Sequence, residues 1–431
     1  MNLKIPSAAT PIRLHDISAG LRPAIHSKAS DFRDIFSGFT GLPFCYFVNS
    51  GTAAFYVILK ALSRLSPANE VILPAYTAPS LILPVRKAGL RPVLCDVDKE
   101  SYGFDTIRLS PLINRNTLCV VVVHMFGLPG DVRQVKGRLK NKGVFIVEDA
   151  ASSLGSEIRG ARAGSLGDVS FFSFNRGKNL TTYCGGCIAT RMPSIANEVE
   201  QVLSSVIRRK PLFDLLVPFK LTVLSLAMRP LVYTALFKLI SQFKHTRLHY
   251  DFDCFQFTRF QAKVGKALFQ RLEQIRLRRH ENGRLLLRGL QGLPGLTLPR
   301  VDPNTFVVFN QFPVLVDDQG VRKALLERLL GLGLEATTLY PEPMQKVYPE
   351  LNLGATQDLF PVASYIAEHL LLLPVHPLVP KARLQQAVAV FRSTVHALSA
   401  LTPKERPKRF LEARGKSSRV GHCCSGDRIE G

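Results

Sequence analysis

The residues able to do chemistry cluster in one stretch, Val144 to Thr190, which reads VFIVEDAASSLGSEIRGARAGSLGDVSFFSFNRGKNLTTYCGGCIAT. An apolar run, Val144 to Val147, ends in Glu148-Asp149. A second, Val169 to Phe172, ends in Ser173-Phe174, and Lys178 follows in a polar, Gly-containing loop. Gly185-Gly186 then leads into Ile188-Ala189-Thr190. Short apolar runs bounded by turn residues read as buried strands. A carboxylate at the end of one strand and a lysine just past another converge on one edge of a sheet. The pair suits imine chemistry: the amine condenses with an aldehyde, and the carboxylate keeps a pyridine nitrogen protonated so that the ring draws electrons. That is the minimum a pyridoxal 5'-phosphate (PLP) site needs.

Other segments must place a phosphate and complete the sheet. Phe44 to Thr52 (FCYFVNSGT) reads as a strand running into Ser50-Gly51-Thr52, and Ala53 to Leu62 has helical composition. A strand, a Gly turn and a helix start present free backbone N–H groups and a positive dipole end to an anion. Ser50, Gly51 and Thr52 are therefore candidate phosphate ligands, although Ser-Gly-Thr is also a good helix cap. Val71 to Leu73, Leu90 to Asp98 and Leu118 to Val123 read as further strands, the last a Val run of the kind parallel sheets bury. His124 ends that run, as a residue facing a ligand or as a histidine satisfied inside the protein.

These residues, in this order and spacing, resemble the DegT/DnrJ-type sugar aminotransferases, PLP enzymes of the aspartate aminotransferase fold (fold type I). The resemblance is carried by Glu148-Asp149-Ala150-Ala151, Gly155, Gly167-Asp168, Phe172-Ser173-Phe174, Lys178 and Gly185-Gly186, supported by Ser50-Gly51-Thr52, VILPAYT, PVLCDVD, LYPEPM and LLLLPVHP. It runs from about Pro6 to Leu398. It implies an α/β fold: a three-layer large domain with a mostly parallel sheet, plus a smaller C-terminal α/β domain. The expected division is 1–250, containing an apolar insert at about 192–250, then 251–400, then a basic tail at 401–431. The resemblance makes Lys178 the PLP-bearing catalytic amine and Asp149 the partner of the ring nitrogen. It places Ser152 near the ring hydroxyl and Ser173 on the phosphate. It implies a homodimer with the site at the subunit interface, an amino donor (glutamate in most of the family) and a nucleotide-linked keto-sugar acceptor. Family members with His at the lysine position are dehydratases, so Lys178 implies transamination. The chain departs from the pattern at Ala78, where an aromatic ring normally stacks on PLP; either Tyr76 or His124 supplies the flat surface instead, or the stack is lost. It departs also at Ser152, at Cys184, and near Cys254 to Gln256, where Asn-Tyr-Arg is absent. The rival readings are a non-catalytic member and a PLP enzyme acting on a lipid-linked sugar.

The chain has 431 residues, 46% of them hydrophobic, and a formal net charge of +23. That length suffices for two cores, and the charge favours anionic partners such as nucleotide diphosphates or an acidic membrane surface. No RRM, zinc-finger or homeodomain pattern accompanies it, which argues against nucleic acid. Cys184-Gly-Gly-Cys187 has no second ligand pair, so no metal site is expected. Met1 to Arg13 lacks the apolar core of a secretory signal, so a cytoplasmic protein with reduced thiols is expected. Pro211 to Ile240 is unusually apolar, but Lys220, Arg229, Pro218 and Pro230 interrupt it. The two readings are a helical excursion packed on its own subunit or a dimer partner, and an in-plane membrane-surface element. The tail from Thr402, with Cys423-Cys424, has a disordered composition.

Overall fold

A computed structural model describes residues 3–22, 30–139, 143–242, 251–351 and 359–399. The expectations for the tail, for Cys423-Cys424 and for the end of the insert at 243–250 lie outside the described residues.

The apolar runs do become strands. In chain order they are β1 (Phe44–Val48), β2 (Glu70–Pro74), β3 (Arg91–Cys95), β4 (Thr117–Val123) and β5 (Phe145–Asp149). A short hairpin of β6 (Glu157–Ile158) and β7 (Ala161–Arg162) precedes β8 (Val169–Ser173) and β9 (Gly186–Thr190). Seven of them form one sheet in the order β1-β9-β8-β5-β4-β2-β3. From β3 to β8 every pairing is parallel, while β9 runs antiparallel to both β8 and β1. The C-terminal ends of β1, β8, β5, β4 and β2 therefore emerge on the same edge, which is where ligands bind in open α/β sheets.

Side chains alternate across this sheet as a pleat requires. Val48, Val71, Leu73, Val121, Val147, Phe171 and Ile188 join one core. It also takes residues of α3 (Gly51–Leu65), such as Phe55 and Ile58, and of the helix Pro193–Val206. Cys45, Phe172 and Ala189 face the other way, onto a phenylalanine-rich cluster with Phe32, Phe36 and Val264. Ile72, Val120 and Ile146 meet Val132, Val135 and Leu139 of the helix Val132–Leu139. Helices cover both faces, which gives the expected three layers. A second, antiparallel sheet contains β10 (Leu296–Thr297), β12 (Phe312–Val316) and β13 (Leu370–Leu373), and a third pairs β11 (Thr305–Phe306) with β6. The first core runs on without a break into Val314, Leu325, Leu371 and Phe391 around β12 and β13.

Two local outcomes differ from the sequence reading, and the insert follows it. The stretch before residue 40 reads as irregular, yet it holds α1 (Leu14–Leu21) and α2 (Ser30–Thr40). Their buried sides, Ile17 and then Phe32 and Phe36, reach the phenylalanine cluster; in α2 the apolar residues Phe32, Ile35, Phe36 and Phe39 do recur at helical spacing, a period the reading passed over, whereas the eight residues of α1 are too few to show one. Val264, Leu268, Leu272 and Ile275 recur near helical spacing and read as one long helix over Phe260 to Gly289, yet the structure has two, Arg259–Phe269 and Leu272–Leu290. They break at Gln270-Arg271, where Arg271 pairs with Asp16 of α1. The insert is helical: Pro211–Ala227, Pro230–Ala235 and Phe237–Gln242. Among the described residues no helix is long and apolar enough to cross a membrane.

Candidate active site

Successive residues of a strand point to opposite faces, and the pair at the end of β5 divides accordingly. Glu148 turns to the side of His124. Its carboxylate accepts from His124 Nε2 at 2.9 Å, from the Gly164 N–H at 2.9 Å, from the Leu166 N–H at 2.6 Å and from the Gly167 N–H. Burial pushes this carboxyl up, but the His124 hydrogen bond and the Gly167 and Gly164 N–H groups outweigh it and hold it below the usual range. The next strand is fixed to β5 by Asp168, which accepts from the Ile146 N–H at 2.7 Å.

Asp149 turns the other way. Its Oδ1 accepts from the Ala151 N–H at 2.9 Å, and its side chain makes no other hydrogen bond among the described residues. Burial pushes this carboxyl up; the Ala151 N–H and the charge of Lys178 counter only part of that. Lys178 lies in the loop after β8. The Thr10 hydroxyl donates to its carbonyl, and its Nζ donates to Ser152 Oγ at 2.9 Å. Burial depresses this amine, with Asp149 pulling it back up. The structure thus brings Lys178, Asp149 and Ser152 together, with Ser152 at the amine.

The phosphate candidates meet at the neighbouring strand ends. Ser50 caps α3, its Oγ taking the Ala53 N–H at 3.0 Å while its carbonyl takes that of Ala54 at 3.0 Å. The capping reading of Ser50 therefore holds. Gly51 and Thr52 keep the first N–H groups of the helix, which have no partner inside it. A Cβ on Gly51 would stand 3.2 Å from Ser173 Cβ, so the helix start and Ser173 form one narrow cradle. Gly186 lets β9 pass close by, since a Cβ there would come within 2.3 Å of the Ser50 carbonyl oxygen. The Thr77 hydroxyl, in the loop after β2 on the same edge, is buried without a hydrogen-bond partner.

These features fit PLP. Asp149 is a buried carboxylate short of a cation, as a protonated ring nitrogen would be. Lys178 is an amine that burial biases toward its neutral, nucleophilic form. A helix start beside Ser173 suits a phosphate.

The polar atoms of both stacking candidates have partners within the protein. Tyr76 is 1% exposed and donates to the Leu339 carbonyl at 2.7 Å. His124 is 1% exposed and held between Glu148 and the Gly130 N–H, which donates to its Nδ1 at 2.9 Å. Sequence reasoning missed Tyr340, whose hydroxyl is pushed up by burial and by the nearby Asp149 charge. Its φ of 52° is a backbone state that non-Gly residues seldom adopt. The signal was present in LYPEPM, whose loop is stitched to β2 by Met344 N–H donating to the Ala75 carbonyl at 3.0 Å and by the Tyr348 hydroxyl donating to that of Pro79 at 2.9 Å. At the position lacking Asn-Tyr-Arg, Asn49 clamps the chain: its Nδ2 donates to the Asp253 carbonyl at 2.9 Å and its Oδ1 accepts from the Phe255 N–H at 3.0 Å. Cys187 is buried in β9, and Cys184 is pushed up to about 11 by burial. Among the described residues no group of His, Cys, Asp or Glu is placed to hold a metal.

Comparison with known proteins agrees with this arrangement. The chain is 28% identical over 331 residues to a dTDP-3-amino-3,4,6-trideoxy-alpha-D-glucose transaminase of Streptomyces venezuelae, covering 77% of each chain. It is 27% identical over 339 residues to a dTDP-4-dehydro-2,6-dideoxy-D-glucose 3-dehydratase of Saccharopolyspora spinosa, covering 74% of this chain and 69% of that one. The solved structure of DesV from S. venezuelae, in complex with a ketimine intermediate, superposes with a TM-score of 0.72 at 25% identity over 89% of this chain and 95% of that one. The model of the DegT/DnrJ/EryC1/StrS aminotransferase family matches residues 24–392, and the chain belongs to that family of PLP-dependent aminotransferases.

Proposed function

We propose that this aminotransferase moves an amino group from glutamate to the keto group of a nucleotide-linked sugar, in amino-sugar or surface-polysaccharide biosynthesis. The observation that carries the reading is the buried amine of Lys178, set against the carboxylate of Asp149. Bound here, PLP supplies an aldehyde for imine exchange and an electron-withdrawing ring. Lys178 Nζ would hold the cofactor's aldehyde group and, when free, would take and return the proton at the donor's α-carbon and at the acceptor's carbonyl carbon. Asp149 keeps the ring nitrogen protonated, and in doing so gains the cation its buried site lacks. Ser152 orients the lysine amine. Gly51 and Thr52 take the phosphate on their N–H groups, with Ser173 closing the cradle and Ser50 holding the helix start in place. Support for the acceptor class comes from the relatives named for dTDP-sugars and from the +23 net charge, which suits a diphosphate. One relative is a dehydratase, but an amine at position 178 favours transfer. The homodimer belongs to the same proposal and predicts twice the 47.8 kDa chain mass in light scattering.

Borohydride reduction followed by peptide mapping tests the core of this reading. Cofactor mass fixed on the Lys178 peptide of wild type, and absent from Lys178→Ala, is the expected result. Cofactor mass on another lysine refutes it. Adding glutamate should then shift the visible absorbance band, and a panel of nucleotide-linked keto-sugars, read by mass spectrometry, should yield an aminated product.

A further inference from the structure

The insert helix Pro211–Ala227 is apolar on two sides. Val217, Leu221 and Ser225 are buried, and the Ser225 hydroxyl donates to the Ile12 carbonyl at 3.1 Å. Leu212, Leu215, Leu216, Phe219, Val223 and Leu226 are all exposed, Leu215 by 75% and Phe219 by 68%. At about 100° per residue these six fall within an arc of about 100°, opposite the buried three. The helices that follow continue the surface with Leu231, 72% exposed, and with Leu236 and Leu239. A contiguous apolar face of this size is unusual on a soluble protein and marks an interaction surface.

Charge indicates what covers it. Between residues 208 and 240 stand Arg208, Arg209, Lys210, Lys220, Arg229 and Lys238, against the single acid Asp214. Of these, Lys210 pairs with Asp253, while Arg208, Arg209 and Arg229 form no ion pair among the described residues. A second copy of this face, related by a twofold axis, would set these cations against themselves. An anionic lipid surface instead offers hydrocarbon for the leucines and phosphates for the arginines.

We propose that residues 208–240 dock the enzyme in the plane of an anionic membrane surface, the leucine and Phe219 face entering the headgroup boundary and the basic residues meeting lipid phosphates. The inference does not depend on which sugar or donor the enzyme uses.

Sedimentation of the full-length holoenzyme with phosphatidylcholine–phosphatidylglycerol vesicles, against phosphatidylcholine alone, tests it. Wild type should bind the mixed vesicles and not the neutral ones, with weaker binding at high salt. L215E/F219E/V223E, all exposed positions, should lower the vesicle partition coefficient by at least about tenfold. R208Q/R209Q should lower it roughly thirtyfold, from about a tenfold change per 1.4 kcal/mol and about 1 kcal/mol per basic residue at the surface. Both variants should keep the cofactor absorbance and oligomeric state of wild type. The proposal is overturned if wild type ignores the mixed vesicles, or if both variants bind as wild type does. It is overturned also if the triple variant falls to a smaller oligomer without vesicles, which would make the face a contact between copies.

Discussion

Glu148→Gln keeps the shape of a buried side chain and removes its charge. In the wild type, Oε1 takes the N–H groups of Leu166 and Gly167, while Oε2 takes the Gly164 N–H and His124 Nε2. Because His124 Nδ1 already accepts from Gly130, Nε2 must carry a proton, so all four partners are donors. A glutamine amide can turn its oxygen to only one pair and opposes its NH2 to the other. Moving the histidine proton to Nδ1 merely transfers the clash to the Gly130 N–H. Two donors are left unpaired, at about 1–3 kcal/mol each, and the remaining bonds lose their charge assistance. A loss of about 3–5 kcal/mol follows, the usual scale for breaking a buried charged cluster. The chain has no Trp, so urea unfolding is best followed by far-UV circular dichroism and tyrosine fluorescence. With a slope of about 3 kcal/mol/M the midpoint should fall by about 1 to 1.7 M. The pH dependence has a definite sign. Glu148 is held below the ordinary glutamate value of 4.5 in the folded protein. Its contribution is complete above that value and disappears as pH falls through the lower folded value. The gap between wild type and variant should therefore close in acid. A midpoint shift below about 0.3 M at pH 7 would refute the accounting, since it corresponds to under about 1 kcal/mol.

Other perturbations address the neighbouring groups. Burial lowers the Lys178 amine and Asp149 raises it, so Asp149→Asn should move half-reaction of this lysine with trinitrobenzenesulfonate in the apo enzyme to lower pH than in wild type; a move upward contradicts the pairing. In wild type that half-point should itself lie below 10.5, as peptide mapping across a pH series would show. Asn49→Ala removes two side-chain bonds between β1 and the 253–255 segment, and a loss of about 2 kcal/mol in urea midpoint analysis is expected.

The parts of the site that sequence exposes are those whose neighbours are close along the chain. β4, β5 and β8 are buried on both faces and read as continuous apolar runs, so their ends, with Asp149 and Ser173, stood out. Lys178 follows within one loop. Tyr340 could not be placed in this way, because its approach to Asp149 depends on a loop that reaches β2 only through contacts between distant segments, such as Met344 with Ala75. Helix α1 escaped notice for a related reason. It buries little beyond Ile17, and its ion pair between Asp16 and Arg271 joins residues from opposite parts of the chain. Tyr76 and His124 were weighed as ring-stacking substitutes on residue type alone. Their burial and the partners that hold their polar atoms come from the fold, and a sequence records neither.

The division of labour between Glu148 and Asp149 explains why the signature is longer than its chemistry requires. Lys178 and Asp149 alone would do the imine chemistry, yet the stretch also carries Glu148, Gly167 and Asp168. Glu148 gathers the 164–167 loop and His124 beneath the sheet edge, and Asp168 ties the start of β8 to β5. Together they fix the register in which Asp149 lies opposite Phe171, just before Ser173 and the Lys178 loop. A carboxylate that is buried and short of partners is unfavourable by itself, and a strand end free to shift would relieve it by moving toward water. The four-donor cluster around Glu148 prevents that movement. Its neighbour is thereby kept at the lysine with its charge only partly compensated, which is the condition under which a cationic ring nitrogen would be bound.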